Sequence, residues 1–154
     1  MPEYLTQEEA FLKCKREGRF LVVEATDLEK IKSTIMIAEG DLDAANVIKK
    51  NLPAKSNQWN GVYKLYYDAL HELTESLLRF ERIKIDNHRC LFAYLCEKHP
   101  ELEFNWDFFE KVRTKRNGIH YYGNPVEAKD WKEVELQFQL YLKKLKEEIL
   151  LRLK

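Results

Sequence analysis

Residues 126–154, VEAKDWKEVELQFQLYLKKLKEEILLRLK, set Trp131, Val134, Phe138, Tyr141, Leu145 and Ile149 at intervals of three and four with charges between them. That periodicity predicts one long amphipathic helix, roughly 40 Å at 1.5 Å per residue. A single helix with one apolar stripe must bury it against others, and the upstream chain supplies them. Trp59, Val62, Tyr66, Leu70, Leu73 and Leu77 mark a second face that ends near Phe80. Leu28, Ile31, Ile35, Ala38, Leu42 and Ala45 mark a third, which runs to about Asn51 before Pro53, with Thr26 and Glu29 in a capping pattern. Leu91, Tyr94 and Leu95 give a shorter helix that Asp86 or Asn87 caps, and Pro100 limits it. Asn105 caps another, which carries Phe108, Phe109 and Val112 inward and is stopped by Gly123, Asn124 and Pro125. Thr6, Glu9 and Gly18 bracket a short helix near 6–17. Phe20 to Ala25 is apolar and rich in Val, and with no second strand in view it is expected to be an extended arm.

The predicted architecture is therefore all-α: an antiparallel up-and-down four-helix bundle with an extra short N-terminal helix or arm. One domain of 154 residues is expected, with the bundle core at about 28–153 and residues 1–26 as an N-terminal extension. Charged residues make up 34% of the chain against five Gly and four Pro, which suits solvated helices and disfavours a β-sandwich or barrel. Lys plus Arg and Asp plus Glu are 26 each, so nucleic-acid binding would need a local basic patch rather than a global field. Cys14, Cys90 and Cys96 are an odd number at no framework spacing, so reduced thiols and a cytoplasmic location are expected. With no apolar run near the roughly 18 residues of a spanning helix, and a charged N-terminus, neither membrane insertion nor export is expected.

The chemistry concentrates at the end of the fifth helix. Arg113, Arg116, Asn117 and His120 stand at i, i+3, i+4 and i+7, so the first and last lie within about 20° on one helical face. Two guanidiniums can fork onto phosphate oxygens, and an imidazole transfers protons near neutral pH. Lys111, Lys115 and Tyr121 are candidate binding residues beside them, and Tyr122 adds a further ring. Such a set suits metal-free cleavage of an RNA backbone, which needs a base for the 2′-hydroxyl and an acid for the leaving oxygen. One chain supplies one such His, so a catalytic reading predicts a homodimer that juxtaposes two copies of this helix. The competing reading is that a basic tail and a His merely complement the helix C-terminus.

The run Arg113-Thr-Lys-Arg116-Asn117-Gly-Ile-His120-Tyr121-Tyr122-Gly123 resembles the signature of HEPN domains (higher eukaryotes and prokaryotes nucleotide-binding), an Arg, four to six residues, then a His. Trp59 to Leu70 resembles the helix preceding that motif in bacterial and archaeal members, and the resemblance extends over roughly residues 28–150. Arg113 keeps the family spacing, whereas Arg116-Asn117 is the more typical Arg-polar pair but stands three positions before His120; both arginines are candidates. The resemblance implies a helical bundle and, in many members, a metal-independent endoribonuclease acting as the toxin paired with a minimal nucleotidyltransferase antitoxin. Other members are nucleotide- or RNA-binding modules without catalysis. Carried over, Arg113 or Arg116 would stabilise the phosphorane, Asn117 would orient the site, His120 would transfer protons, and Tyr122 would be the modification position. No cofactor is implied.

His88, Cys90, Cys96 and His99 span about 16 Å along a helix and are not expected to meet at one metal ion. Tyr63, Tyr66 and Tyr67 sit among apolar neighbours and are expected in the core. Asp68, Glu72 and Glu75 share a face and are expected to be solvated or paired with Lys64 and Arg79; Lys143, Lys144, Lys146, Arg152 and Lys154 are expected to form a solvated face.

Overall fold

The computed structural model describes residues 3–154. Residues 1 and 2, part of the expected N-terminal extension, lie outside the described residues. The all-α expectation holds, with six α-helices among the described residues, in chain order: α1 (Gln7–Arg16), α2 (Leu28–Lys49), α3 (Trp59–Arg79), α4 (His88–Lys98), α5 (Trp106–Tyr122) and α6 (Ala128–Leu153). A 3₁₀ turn at Pro100–Leu102 joins α4 to α5.

Local chemistry sets the ends. Thr6 and Glu9 form a complete capping box at α1, and Gly18, just past its end, takes φ 69°, a left-handed conformation that glycine adopts without strain. Asn87 caps α4 through the Cys90 N–H, and Asn105 caps α5 through the Phe108 N–H. Gly123 ends α5 at φ 63°. Two expectations are corrected. The cap of α2 is Asp27, which accepts from the Lys30 N–H, while Thr26 donates its hydroxyl to the Arg79 carbonyl and so ties the start of α2 to the end of α3. The expected arm at residues 20–25 contains a short strand, β1 (Leu21–Val22), paired antiparallel with β2 (Ile83–Lys84). Its partner is a two-residue element about sixty positions downstream, too short to leave a periodic signal.

Helix α3 is the hub, in contact with α2, α4, α5 and α6, while α1 lies on α4. The core is strongly aromatic. Phe138 is fully buried, edge-on to Tyr63, Tyr66 and Phe108 and stacked on Trp131. Phe92 stacks on Phe109 at 4.6 Å between ring centres. Burying each such ring contributes about 2–3 kcal/mol, and the edge-to-face geometry adds to that. The α6 residues picked out by spacing are all buried, as are Tyr63, Tyr66 and Tyr67.

The expectation of three reduced thiols is overturned: Cys14 and Cys90 are joined by a disulfide that fastens α1 to the first turn of α4. The two cysteines are 76 positions apart in sequence and meet only because α1 docks on α4, so spacing could not reveal them. The compartment inference drawn from free thiols loses that basis. Cys96 is the free cysteine and is buried. Among the described residues no helix is long and apolar enough to cross a membrane.

His99 is no bare helix end. It is 5% exposed, with Nδ1 2.9 Å from Glu101 and Nε2 2.9 Å from Glu81. The Glu81 hydrogen bond, aided by Glu101 and opposed by burial, raises its pKa above the ordinary value. Because the folded-state pKa lies above the unfolded one, the stabilisation is complete below about pH 6.5 and is lost as pH rises through the folded value. His99→Gln is therefore expected to destabilise the protein more at pH 5.5 than at pH 9 in urea titrations; an equal loss at both would rule out a charged His99.

Candidate functional site

Helix α5 presents its last three turns to two different depressions. On one side Arg113, Arg116, Asn117 and Tyr121 line a cleft of about 570 Å³ closed by α1 and the start of α4. Five cationic side chains border it, Lys13, Arg19, Arg89, Arg113 and Arg116, against two carboxylates, Glu17 and Asp86. It is the local basic patch that a chain of zero net charge would need to hold a polyanion.

The arginines are not equivalent. Arg113 makes a two-pronged bond to Glu110, Nε and one terminal nitrogen each at 3.0 Å, and Arg89 reaches the same carboxylate at 3.0 Å. Glu110 is 7% exposed; burial pushes its pKa up, but the Arg113 and Arg89 bonds outweigh this and hold it below the ordinary value. The triad leaves one net positive charge. Arg116 lies over the Tyr67 ring at 5.3 Å, has only a 3.9 Å approach to Asp68, and keeps a buried Nε with no hydrogen-bond partner. Of the two, Arg116 is the more available to a ligand.

His120 shares the helical face but is exposed and lies outside the cleft lining, toward α3. The Arg116 guanidinium lowers its pKa, with smaller help from slight burial and Lys64 and opposition from Asp68. A neutral imidazole at pH 7 is the form a general base requires. Tyr121 and Tyr122 are 73% and 74% exposed.

Lys111 and Lys115 depart from the expected site. They point to α6, where they pair with Glu133 at 3.2 Å and Asp130 at 3.3 Å, and line a separate groove of about 760 Å³ floored by Tyr63. Four residues apart, they share a stripe about 200° round the helix from Arg113, and an ion pair between neighbouring helices is the better account of both.

The α3 carboxylates are not simply solvated. Half-burial raises the Asp68 and Glu75 pKa values, and burial with the neighbouring Asp41 and Asp68 takes Glu72 to about 7. Among the described residues no group of three or more His, Cys, Asp or Glu is placed to hold a metal ion. His88 instead sits at the cleft with Nδ1 2.9 Å from the Tyr67 hydroxyl. Sequence reasoning weighed it only as a metal ligand and missed Glu110, although Glu110 and Arg113 are an i, i+3 pair readable from spacing.

No protein-family model, curated protein or solved structure matches this chain.

Proposed function

We propose that the protein is a HEPN-like RNA-binding helical bundle that cleaves RNA without a metal ion, working as a dimer. The observation that carries this reading is the sharing of one basic cleft by Arg113, Arg116 and Asn117, with the lowered-pKa imidazole of His120 next to Arg116 on the same helix end. Neutral His120 takes the proton from the ribose 2′-hydroxyl as its oxygen bonds to phosphorus. The guanidiniums hold the equatorial charge of the phosphorane, and Asn117 orients the phosphate. The bond from phosphorus to the 5′-oxygen then breaks, and that oxygen takes a proton from an acid, the role given to a protonated His120 of a second chain. The α2, α3, α5 and α6 helices form the four-helix element of this reading. A minimal nucleotidyltransferase antitoxin that modifies Tyr122 would fit the high exposure of that ring.

The test is cleavage of a mixed pool of labelled RNA in EDTA. Wild type is expected to cut, His120→Ala and Arg116→Ala to lose at least about a hundredfold in rate, and Arg113→Ala to lose less because Glu110 already engages it. The acidic limb of the pH profile is expected below pH 6.5, in the direction Arg116 shifts His120. Silence of wild type would reject catalysis. RNA binding in the same cleft, lost in Arg116→Ala, would then favour the second reading, a non-catalytic nucleotide- or RNA-binding module, which the partial neutralisation of Arg113 supports.

A further inference from the structure

The imidazole that borders the cleft with Arg113 and Arg116 is His88, not His120. His88 is the first residue of α4, and its Nδ1 is 2.9 Å from the hydroxyl of Tyr67. Tyr67 is fully buried and burial keeps its phenol protonated; among the described residues its hydroxyl has no hydrogen-bond partner besides His88, which assigns the hydroxyl as donor and Nδ1 as acceptor. A neutral ring whose Nδ1 lone pair is occupied carries its own proton on Nε2. A second proton is disfavoured by burial and by the Arg116 and Arg113 guanidiniums. Behind the ring, His71 stacks at 3.8 Å and is itself kept neutral, its pKa pushed down to about 3 by burial and by His88 and Arg116. Tyr67 is fixed in turn by the Arg116 guanidinium over its face.

This arrangement leaves His88 one free polar atom, an N–H donor, on a cleft where five cationic side chains stand against the two carboxylates Glu17 and Asp86. The terminal nitrogens of Arg116 have only a 3.9 Å approach to Asp68, Arg113 has a terminal nitrogen not engaged by Glu110, and Lys13 and Arg19 stand at the α1 side. Of the two carboxylates at the border, Glu17 is already 3.5 Å from Arg19. A surplus of donors over acceptors defines an oxyanion as the ligand.

We propose that a phosphate group seated in this cleft takes a hydrogen bond from His88 Nε2 together with Arg113 and Arg116, and that Tyr67 is the positioning residue that fixes the donating tautomer. The inference rests on the reading above that the cleft holds phosphate, and it adds a donor from α4, within the same chain, to those of α5.

The test uses the full chain, with inorganic pyrophosphate and a short single-stranded RNA as probes, read by calorimetry and by the imidazole nitrogen spectrum. In the free protein His88 is expected as the Nε2–H tautomer, and its Nε2 signal is expected to shift on pyrophosphate addition. His88→Ala is expected to weaken binding about tenfold, the scale of a hydrogen bond to a charged group, and His88→Gln, which keeps an N–H donor, to recover part of it. Tyr67→Phe is expected to mix the two tautomers and weaken binding a few-fold with the fold unchanged by circular dichroism. A shift with RNA but not pyrophosphate would identify a nucleic-acid backbone as the source of the phosphate, and binding of pyrophosphate alone would identify a free polyphosphate. Undiminished binding in both His88 variants, or a proton found on Nδ1, would overturn the role of His88 while leaving the basic cleft intact. Absence of binding by wild type to either probe would instead remove the phosphate reading itself, and the inference with it.

Discussion

Breaking the Cys14–Cys90 bond, by reductant or by the double substitution Cys14→Ser and Cys90→Ser, is expected to lower the unfolding free energy by about 4 kcal/mol. The size follows from the 76-residue separation of the two cysteines: closing so long a loop removes conformational entropy from the unfolded chain, and the effect grows with the logarithm of loop length. Native contacts should change little, because α1 is also held without the bond. Phe11 packs on Phe20 and beside Tyr94, the Trp106 indole donates to the Leu5 carbonyl, and the Tyr4 hydroxyl donates to Asp107. Urea titrations with and without reductant measure the difference directly. Midpoints that coincide would mean that the bond is absent from the folded protein in solution.

The second large effect is expected from Glu110→Ala. This buried carboxylate lies between Arg89 and Arg113, and its removal leaves two guanidiniums close together with no counter-charge. Losing one member of a buried ionic group costs about 3–5 kcal/mol, since the remaining charges stay desolvated. The pH dependence has a defined sign. The folded pKa of Glu110 is depressed, so its contribution is present above the ordinary carboxylate pKa and fades as pH falls through the folded value. The stability gap between wild type and variant should therefore be widest near neutrality and narrow below pH 4. A loss under 1 kcal/mol at pH 7 would show that water reaches the triad and screens it.

The helices were legible because their signals are local. Each apolar position of α6 is spaced for one face, and Asn87 and Asn105 stand where their side chains accept the N–H three residues on. What escaped depends on chain segments that meet only in the folded state. The β1 residues carry no mark of Ile83–Lys84, and neither Cys14 nor Cys90 is marked as the other's partner. The site divides along the same line. Arg113, Arg116 and Asn117 belong together by helical phase and do line one cleft. The phase argument alone also separates Lys111 and Lys115 from them, though the richness of the run in basic residues masked it. His120 has the right phase, but its surroundings are Lys64 and Asp68 of α3, and the ring does not join the cleft wall. His88, Arg89, Lys13 and Arg19 come to the cleft from α1 and its following turn and from α4, and no spacing on α5 announces them.

The covalent link between α1 and α4 also changes how the molecule bears force. When the two chain ends are pulled apart, tension entering at the N-terminus crosses from Cys14 to Cys90 through sulfur, so α2, α3 and both strands lie outside the loaded path. Full extension of the oxidised chain falls short of the reduced one by roughly 250 Å, the reach of the 76 chain steps between the cysteines less the 5.7 Å across the bond. The mechanical load then falls on α1 up to Cys14 and on α4, α5 and α6, and the ion pairs that join α5 to α6, Lys111 with Glu133 and Lys115 with Asp130, are among the contacts within the loaded segments.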